Sequence, residues 1–474
     1  MRFLFINPNR AIQKRNIWSV VNSITPPLGL ATLSAVLEKE GHHVDIIDAA
    51  ALNLGTSDII SRIDRRVDVV GLTATTPEIE GAIDIANTIR KHFLGIKIIM
   101  GGVHPTIFHE ELTAAGVCDM LIRGEGEDAI LAIAEQKPLE KIPNLTWKSE
   151  RGDVVINQRS DRFVDLDKLP FPSYRKLPMQ KYRSALGAAR RSPSIGMITS
   201  RGCPGQCTFC FSGMFGSKIR FMSPQRILEH VLYLKTNYGV KEISFYDDTF
   251  TANRKRVEHL CKLMIAEKLD ISWSCFARVD TVNPDILRLM KEAGCHQICY
   301  GFESADEDIL KAINKKIDTD KSFRAVLWTK EAGIDIRGAF MIGNPGETEE
   351  SIQKTLEYSK KLGIQFATYN ITTPFPGTAL YDSAVTNGSL KHTVWSLYDL
   401  AHPVLEIRTA SSEVIQDYYY RAYKEFYFRP VYILQRLLSI RTMDEISAYI
   451  KAFAGILLML VRIKIGKKCS ATAL

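Results

Sequence analysis

Twice along this chain, short apolar runs alternate with amphipathic helical stretches, and that alternation limits the fold more than any other feature. In the first block the strand candidates are 3–7, 44–48, 67–73, 96–100 and 120–122. Helical periodicity fills the gaps at 28–40, 57–65, 79–93 and 108–115. A strand–helix–strand rhythm predicts a parallel sheet with helices on both faces. The second block repeats it with strands at 195–198, 242–246, 271–276, 297–302, 335–342 and 366–371, separated by helices from 225 to 362. Ser223-Pro224 marks a helix start, with Ser at the cap and Pro in the first turn. Prolines at 138, 143, 170, 172 and 178 break the rhythm between the blocks, leaving room for one small hairpin near 145–155. With 474 residues, more than one core is expected. The fold class is therefore α/β: a Rossmann-like open parallel sheet (1–140), a linker (141–193), a partial (β/α)6 barrel (194–385) and a helical C-terminal region (386–474).

Ligands in such sheets and barrels gather at the carboxyl ends of the strands. In the first block those ends carry Thr73, Gly101-Gly102 followed by His104, and Gly124-Glu125-Gly126, with Pro27 and Gly29 at the first helix start. The dinucleotide fingerprint G-x-G-x-x-G is absent after the first strand. In the second block the first strand opens into Thr199-Ser-Arg-Gly-Cys-Pro-Gly-Gln-Cys-Thr-Phe-Cys210, placing Cys203, Cys207 and Cys210 in a C-x3-C-x2-C spacing. Soft thiolates this close suit three irons of a [4Fe–4S] cluster and leave the fourth iron open to a small molecule. Zinc prefers four ligands, often as two pairs, and no partner pair follows within the next fifty residues; buried free thiols are the other alternative. Further strand ends present Asp247-Asp248, Arg278 with Asp280, and Glu303-Ser304. Adjacent strand residues point to opposite faces, so Asp247 and Asp248 do not make a shared-proton pair.

The cysteine loop with its Arg-Gly-Cys-Pro context resembles the radical S-adenosylmethionine (SAM) enzymes. With Pro26-Pro-Leu-Gly-Leu30, Gly101-Gly-Val-His-Pro105 and Arg123-Gly-Glu-Gly-Glu127, the chain resembles the branch carrying a cobalamin-binding domain, that of the magnesium-protoporphyrin ester cyclases and hopanoid methylases. The resemblance implies SAM on the open iron, and Glu303, Ser304 and Arg278 as SAM contacts. It implies cobalamin over the first sheet, near Pro27, Gly29, Thr73, Gly101, Gly102, His104, Gly124, Glu125 and Gly126. The D-x-H-x-x-G motif is missing, so the cobalt has no protein histidine beneath it; His104 more naturally caps a loop or meets a ligand's tail. A single N-terminal cysteine, Cys118, departs from the methylthiotransferases. The implied activity is methylation of an unactivated carbon, the methyl passing from one SAM through cobalamin while an adenosyl radical from a second SAM activates the substrate. The alternatives are anaerobic cyclisation of a tetrapyrrole, or a cobalamin-free enzyme whose first domain only recognises a partner. The expected partners are a small-molecule or lipid-like substrate and a reductant such as a flavodoxin or ferredoxin.

Composition narrows the setting. Six of the nine cysteines are scattered, which fits a reducing, cytoplasmic compartment rather than a disulfide framework. The net charge of +8 lies in local clusters without interleaved aromatics, so no nucleic-acid partner is expected. Tyr418–Pro430 is aromatic and helical in pattern. The apolar stretch 446–465 is interrupted by Lys451, Arg462 and Lys464, and its uninterrupted part is too short to cross roughly 30 Å of hydrocarbon. A core or dimer helix and an interfacial helix at anionic head groups both suit it.

Overall fold

The computed structural model describes residues 1–9, 23–185, 187–439 and 450. The apolar stretch at 446–465 and Cys469 lie outside the described residues apart from Ile450. The first sheet has seven strands: β1 (Arg2–Asn7), β2 (His43–Asp48), β3 (Val69–Thr73), β4 (Lys97–Gly101), β5 (Met120–Ile122), β6 (Leu145–Lys148) and β7 (Val154–Ile156), in the order β2-β1-β3-β4-β5-β6-β7. The first five run parallel. Alternate residues feed two cores: Leu4, Ile6, Val70 and Leu72 face one layer of helices, and Phe3, Phe5 and Val69 face the other. Burial on both faces is what a parallel sheet needs. The hairpin β6–β7 pairs antiparallel with β5 and so extends this sheet.

Two helices differ from the periodicity. The one expected over 57–65 is only Thr56–Ile60. Asp64 accepts hydrogen bonds from the Arg66 backbone and side chain, a local turn that competes with helix. The stretch 108–115 is His109–Ala114, preceded by a separate turn of helix over Val103–Ile107.

The second block is a six-stranded parallel sheet, β8 (Ser194–Met197), β11 (Glu242–Phe245), β12 (Ser272–Ala277), β13 (Cys295–Glu303), β14 (Asp335–Ile342) and β15 (Phe366–Ile371), neighbours in chain order throughout. The short strands β9 (Ser200–Arg201) and β10 (Arg220–Phe221) pair with each other between β8 and β11. The helix after them spans Pro224–Tyr238, with the Ser223 hydroxyl accepting from Arg226 N as the sequence predicts.

A partial barrel leaves an open strand edge, and the aromatic stretch near the C-terminus covers it. The helix Ser412–Tyr427 lies along the edge strand β15. Tyr423 Oη accepts from Tyr369 N at 3.2 Å and donates to Tyr369 O at 2.9 Å. One turn later Tyr427 Oη does the same with Ala367, at 3.1 and 2.7 Å. Tyr432 Oη then donates to Gln365 O. Tyrosine hydroxyls thus replace the missing seventh strand and blunt an otherwise sticky edge. The C-terminal helices begin only at Ser412. Before them, 387–411 is an irregular strap that crosses back to the first domain, where Trp395 packs 5.1 Å from His104 and 5.4 Å from Phe108.

The turn after β14 holds a wholly buried carboxyl. Glu347 Oε2 accepts from the Gly343 and Asn344 amides, while Oε1 has no partner. Burial pushes its pKa from the ordinary 4.5 up to about 7, against the pull of those amides. A folded-state pKa raised this way stabilises the fold fully below about 4.5, and the contribution is lost as pH rises through 7, on the order of 3 kcal/mol in all. Between pH 5 and 8 the thermal midpoint of the wild type should therefore fall further than that of Glu347→Gln. Equal pH slopes for the two proteins would refute this.

Candidate functional site

The neck of the cysteine loop is built from a buried carboxylate. Asp247, just past β11, accepts from Thr199 N and Oγ1 at 2.5 and 2.6 Å and from Ser200 N at 3.1 Å, with Arg256 3.6 Å away. Asp247 is therefore committed to holding the chain where β8 becomes the loop, and it is not half of an acid–base pair with Asp248. Gly202 closes the neck at φ +95°, where a Cβ would meet Lys218 O at 2.6 Å. Beyond it Cys203 and Cys207 flank one glycine. Gly205 N donates to Cys203 Sγ at 3.4 Å, and a Gly205 Cβ would stand 3.3 Å from that sulfur and 4.0 Å from Cys207 Sγ. Burial raises the Cys207 and Cys210 thiols, Cys210 to about 11, and neighbouring cysteines add to it. Thiols raised in this way are deprotonated by bound metal. Among the described residues no three His, Cys, Asp or Glu side chains converge on a single ion. Sulfurs distributed around a glycine loop fit separate irons of a cluster.

A second segment is stitched to this loop. Thr208 N donates to Ile313 O at 3.0 Å, and Asn314 Nδ2 to Gln206 O at 2.8 Å. The next residue, Lys315, buries its ammonium 2.7 Å from Glu303 Oε1 and 6.0 Å from the Phe209 ring of the cysteine loop. Burial works against the lysine's charge, but the Glu303 carboxylate outweighs it and the pKa is raised. Glu303 adopts φ +63° at a register shift in β13. Non-glycine residues tolerate that backbone only where the surroundings enforce it. A Cβ at Gly301 would displace this pair from its position, because it would lie 2.4 Å from Glu303 Oε1 and 2.8 Å from Lys315 Nζ. Ser304 is elsewhere: its hydroxyl lies 3.2 Å from Thr355 Oγ1, accepts from Asp306 N and is buried. Arg278 stands at the site, but its fork is engaged by Asp280 at 2.9 and 3.0 Å, and it also donates to Lys315 O.

Below the pair, the barrel interior presents one row of side chains in register. Phe245 pairs with Met197 and Cys275, so Ile198, Tyr246 and Phe276 follow side by side; Phe276 continues to Cys299, Arg337 and Phe366. In-register neighbours on parallel strands face the same way. Ile198 and Phe276 are 41% and 42% exposed, so the row is open at its β8–β12 side rather than packed shut.

The first domain meets the cysteine loop through Arg123–Glu127. Glu125 takes Arg201 at 2.9 Å and Arg220 at 2.7 Å, and Glu127 takes Arg201 at 2.6 Å. All four side chains are at most 14% exposed. Burial alone would raise the Glu125 pKa; hydrogen bonds from Arg220 and Arg201 outweigh it and hold it below the ordinary value. Gly124, at φ +78°, would put a Cβ 3.3 Å from Met214 O, and Gly126 packs on Leu33. Glu125 thus clamps two domains together, a role its charge and the arginines flanking the cysteines made legible only in retrospect. Gly102, at φ +95°, lets β3 and β4 close up, because a Cβ would meet Thr73 Oγ1 at 2.7 Å. His104 is buried among Phe108 and Trp395 with Nδ1 3.3 Å from Thr76 Oγ1, and burial lowers its pKa to about 4. Pro27 precedes the helix Leu28–Lys39, and Gly29 on that helix is exposed with open space above it. Asp48, at the end of β2, is engaged by Asn7 and Tyr182. The exposed backbone at Gly29 and the half-buried Thr73 leave room for a ligand over this end of the sheet.

The family models that match are the radical SAM superfamily over residues 197–359 and the B12 binding domain over residues 15–134. An uncharacterised methyltransferase of Pyrococcus horikoshii is 38% identical over 91% of this chain and 93% of its own length. This chain belongs to the cobalamin-binding radical SAM enzymes. Within that family the anaerobic magnesium-protoporphyrin IX monomethyl ester cyclase of Rubrivivax gelatinosus is 25% identical over 91% of this chain and 78% of its own. Among solved structures, the cobalamin-dependent SAM radical enzyme OxsB, with aqua-cobalamin and SAM bound, matches with a TM-score of 0.71, covering 96% of this chain and 72% of that one. At 17% identity that likeness is one of fold. The cysteine loop follows β8 and Glu303 ends β13, so both lie at the carboxyl end of the barrel. The sequence placed Asp247 and Glu125 at strand ends but not the partners they hold, Thr199 for one and Arg201 with Arg220 for the other, and it did not single out Lys315.

Proposed function

We propose that this radical SAM enzyme methylates an unactivated carbon of a small, largely apolar molecule. The observation that carries this reading is the clamp. Glu125 and Gly124 hold the strand ends of the cobalamin-type domain against the very loop that carries Cys203, Cys207 and Cys210. When bound, the cluster supplies the electron that splits SAM into methionine and an adenosyl radical, and cobalamin carries the methyl group. The chain's own work is placement. The amino-acid end of SAM is a zwitterion, and Glu303 with Lys315 offers a carboxylate for its ammonium and an ammonium for its carboxylate. The two groups are held 2.7 Å apart in a buried setting, and the Glu303 carboxylate keeps the Lys315 ammonium charged until SAM takes its place. Ile198 and Phe276 give the substrate an apolar wall, and the clamp excludes water between the two cofactor domains.

Free cysteines and an oxygen-sensitive cluster suit a reducing, cytoplasmic setting. Among the described residues no helix is long and apolar enough to cross a membrane.

The test is product analysis of anaerobically reconstituted enzyme given SAM and reductant. A methylase that splits one SAM and demethylates another yields both 5′-deoxyadenosine and S-adenosylhomocysteine. Cyclase-type chemistry yields 5′-deoxyadenosine alone, and that result would overturn the methylation reading.

A further inference from the structure

Behind the cysteine loop lies a cleft of about 310 Å³. Pro204, Gly205 and Gln206 form one wall, and none of the three cysteines lines it. Gly205 therefore borders two spaces. Its backbone faces the cleft, while a Cβ on it would stand 3.3 and 4.0 Å from Cys203 Sγ and Cys207 Sγ. One glycine peptide separates the cleft from two of the cluster's sulfurs.

The opposite wall is basic. Arg278, Lys315 and Lys316 line it, with Asp280 the only carboxylate among the lining residues. Arg278 and Lys315 are paired inward with Asp280 and Glu303. Lys316 is exposed. Arg254, also exposed, donates to the O of Thr281, a lining residue, and the exposed Lys218 precedes the lining Ile219. Lys218, Arg254 and Lys316 thus stand exposed beside the cleft's lining residues. Lys316 also belongs to the segment hydrogen-bonded to the cysteine loop through Ile313 and Asn314.

We propose that this cleft is the docking site of a small acidic one-electron carrier protein, whose reduced flavin or iron–sulfur centre passes its electron through the Gly205 peptide. The inference rests on the cluster reading given above. The carrier is oxidised by one electron, the loop-bound cluster is reduced by one, and no atom changes hands. Each SAM cleaved consumes that electron. Exposed cations beside the cleft steer an acidic partner and fix its orientation, and contribute more to association rate than to affinity.

The test compares two reductants on the full-length, reconstituted enzyme: dithionite, which needs no docking, and reduced flavodoxin. Lys316→Glu and Arg254→Glu, singly and combined, should keep wild-type iron content and wild-type dithionite-driven 5′-deoxyadenosine formation. The flavodoxin-driven rate of the double variant should fall at least ~10-fold at low salt, with the gap closing as salt rises. Unchanged flavodoxin-driven rates would overturn the proposal, and so would equal losses with both reductants. A wild-type chain that holds no iron and is inert with dithionite would instead overturn the cluster reading itself.

Discussion

Glu125→Ala will leave two guanidinium groups, Arg201 and Arg220, buried without their shared carboxylate and will uncouple the two cofactor domains. In the native chain Glu125 is 8% exposed and lies within 3 Å of both arginines. Removing one member of a buried charge network costs about 3–5 kcal/mol, mainly because the remaining charges have already lost their water. Glu127 still holds Arg201 at 2.6 Å, so the larger deficit falls on Arg220. That arginine anchors β10 at the loop neck and stacks 4.3 Å over Phe163 of the linker. The expected result is a lower melting temperature, faster proteolysis in the part of the linker beyond β7, and loss of SAM-dependent methyl transfer with the cysteine loop intact. Glu125→Gln should fall between wild type and Ala, since it keeps hydrogen-bond acceptance without the charge. Wild-type stability and linker protection in Glu125→Ala would show that the clamp does not hold the domains.

Lys315→Met should act on SAM instead. The change keeps an unbranched side chain of similar length and removes the ammonium that balances Glu303. Two losses follow: an unpaired carboxylate in a buried site, and no cation for the SAM carboxylate. Losses of about 2–4 kcal/mol are typical of such truncations, equivalent to roughly 30- to 1,000-fold in rate or affinity. Much of it should appear in the KM for SAM. Lys315→Arg should recover part of the loss by restoring charge, while Lys315→Met retains wild-type iron content because no cysteine is touched. An unchanged KM and an unchanged 5′-deoxyadenosine yield in Lys315→Met would remove Lys315 from the SAM site.

The strands of both sheets and the cysteine loop were legible in the sequence because each rests on local pattern. Apolar runs of strand length bounded by Gly, Pro and Asn end where backbone chemistry ends them, and β5, β14 and β15 match the predicted bounds. The spacing of Cys203, Cys207 and Cys210 is itself local. What escaped is what joins residues far apart in the chain. Glu125 meets Arg201 and Arg220 across 76 and 95 residues, and no periodicity encodes that pairing. Ser304 looks like a ligand contact beside Glu303, yet the two neighbours part, Glu303 to Lys315 and Ser304 to Thr355. Lys315 sits in a loop after a short helix, where neither amphipathicity nor a motif flags it. The tyrosine-rich helix was visible as a pattern, but its purpose depends on a barrel edge that exists only once six strands have assembled. His104 was visible as a glycine-flanked histidine; its burial under Trp395 depends on a strap almost 300 residues later.

A metal count tests the two-cofactor assignment most directly. Wild-type chain purified and reconstituted without oxygen, with cobalamin supplied, should carry about four irons and one cobalt per chain. The Cys203/Cys207/Cys210→Ala variant should lose the iron and keep the cobalt, because the first domain's strand ends do not depend on those thiols. Iron without cobalt in the wild type would contradict the two-cofactor account and leave the first domain as a partner-recognition module.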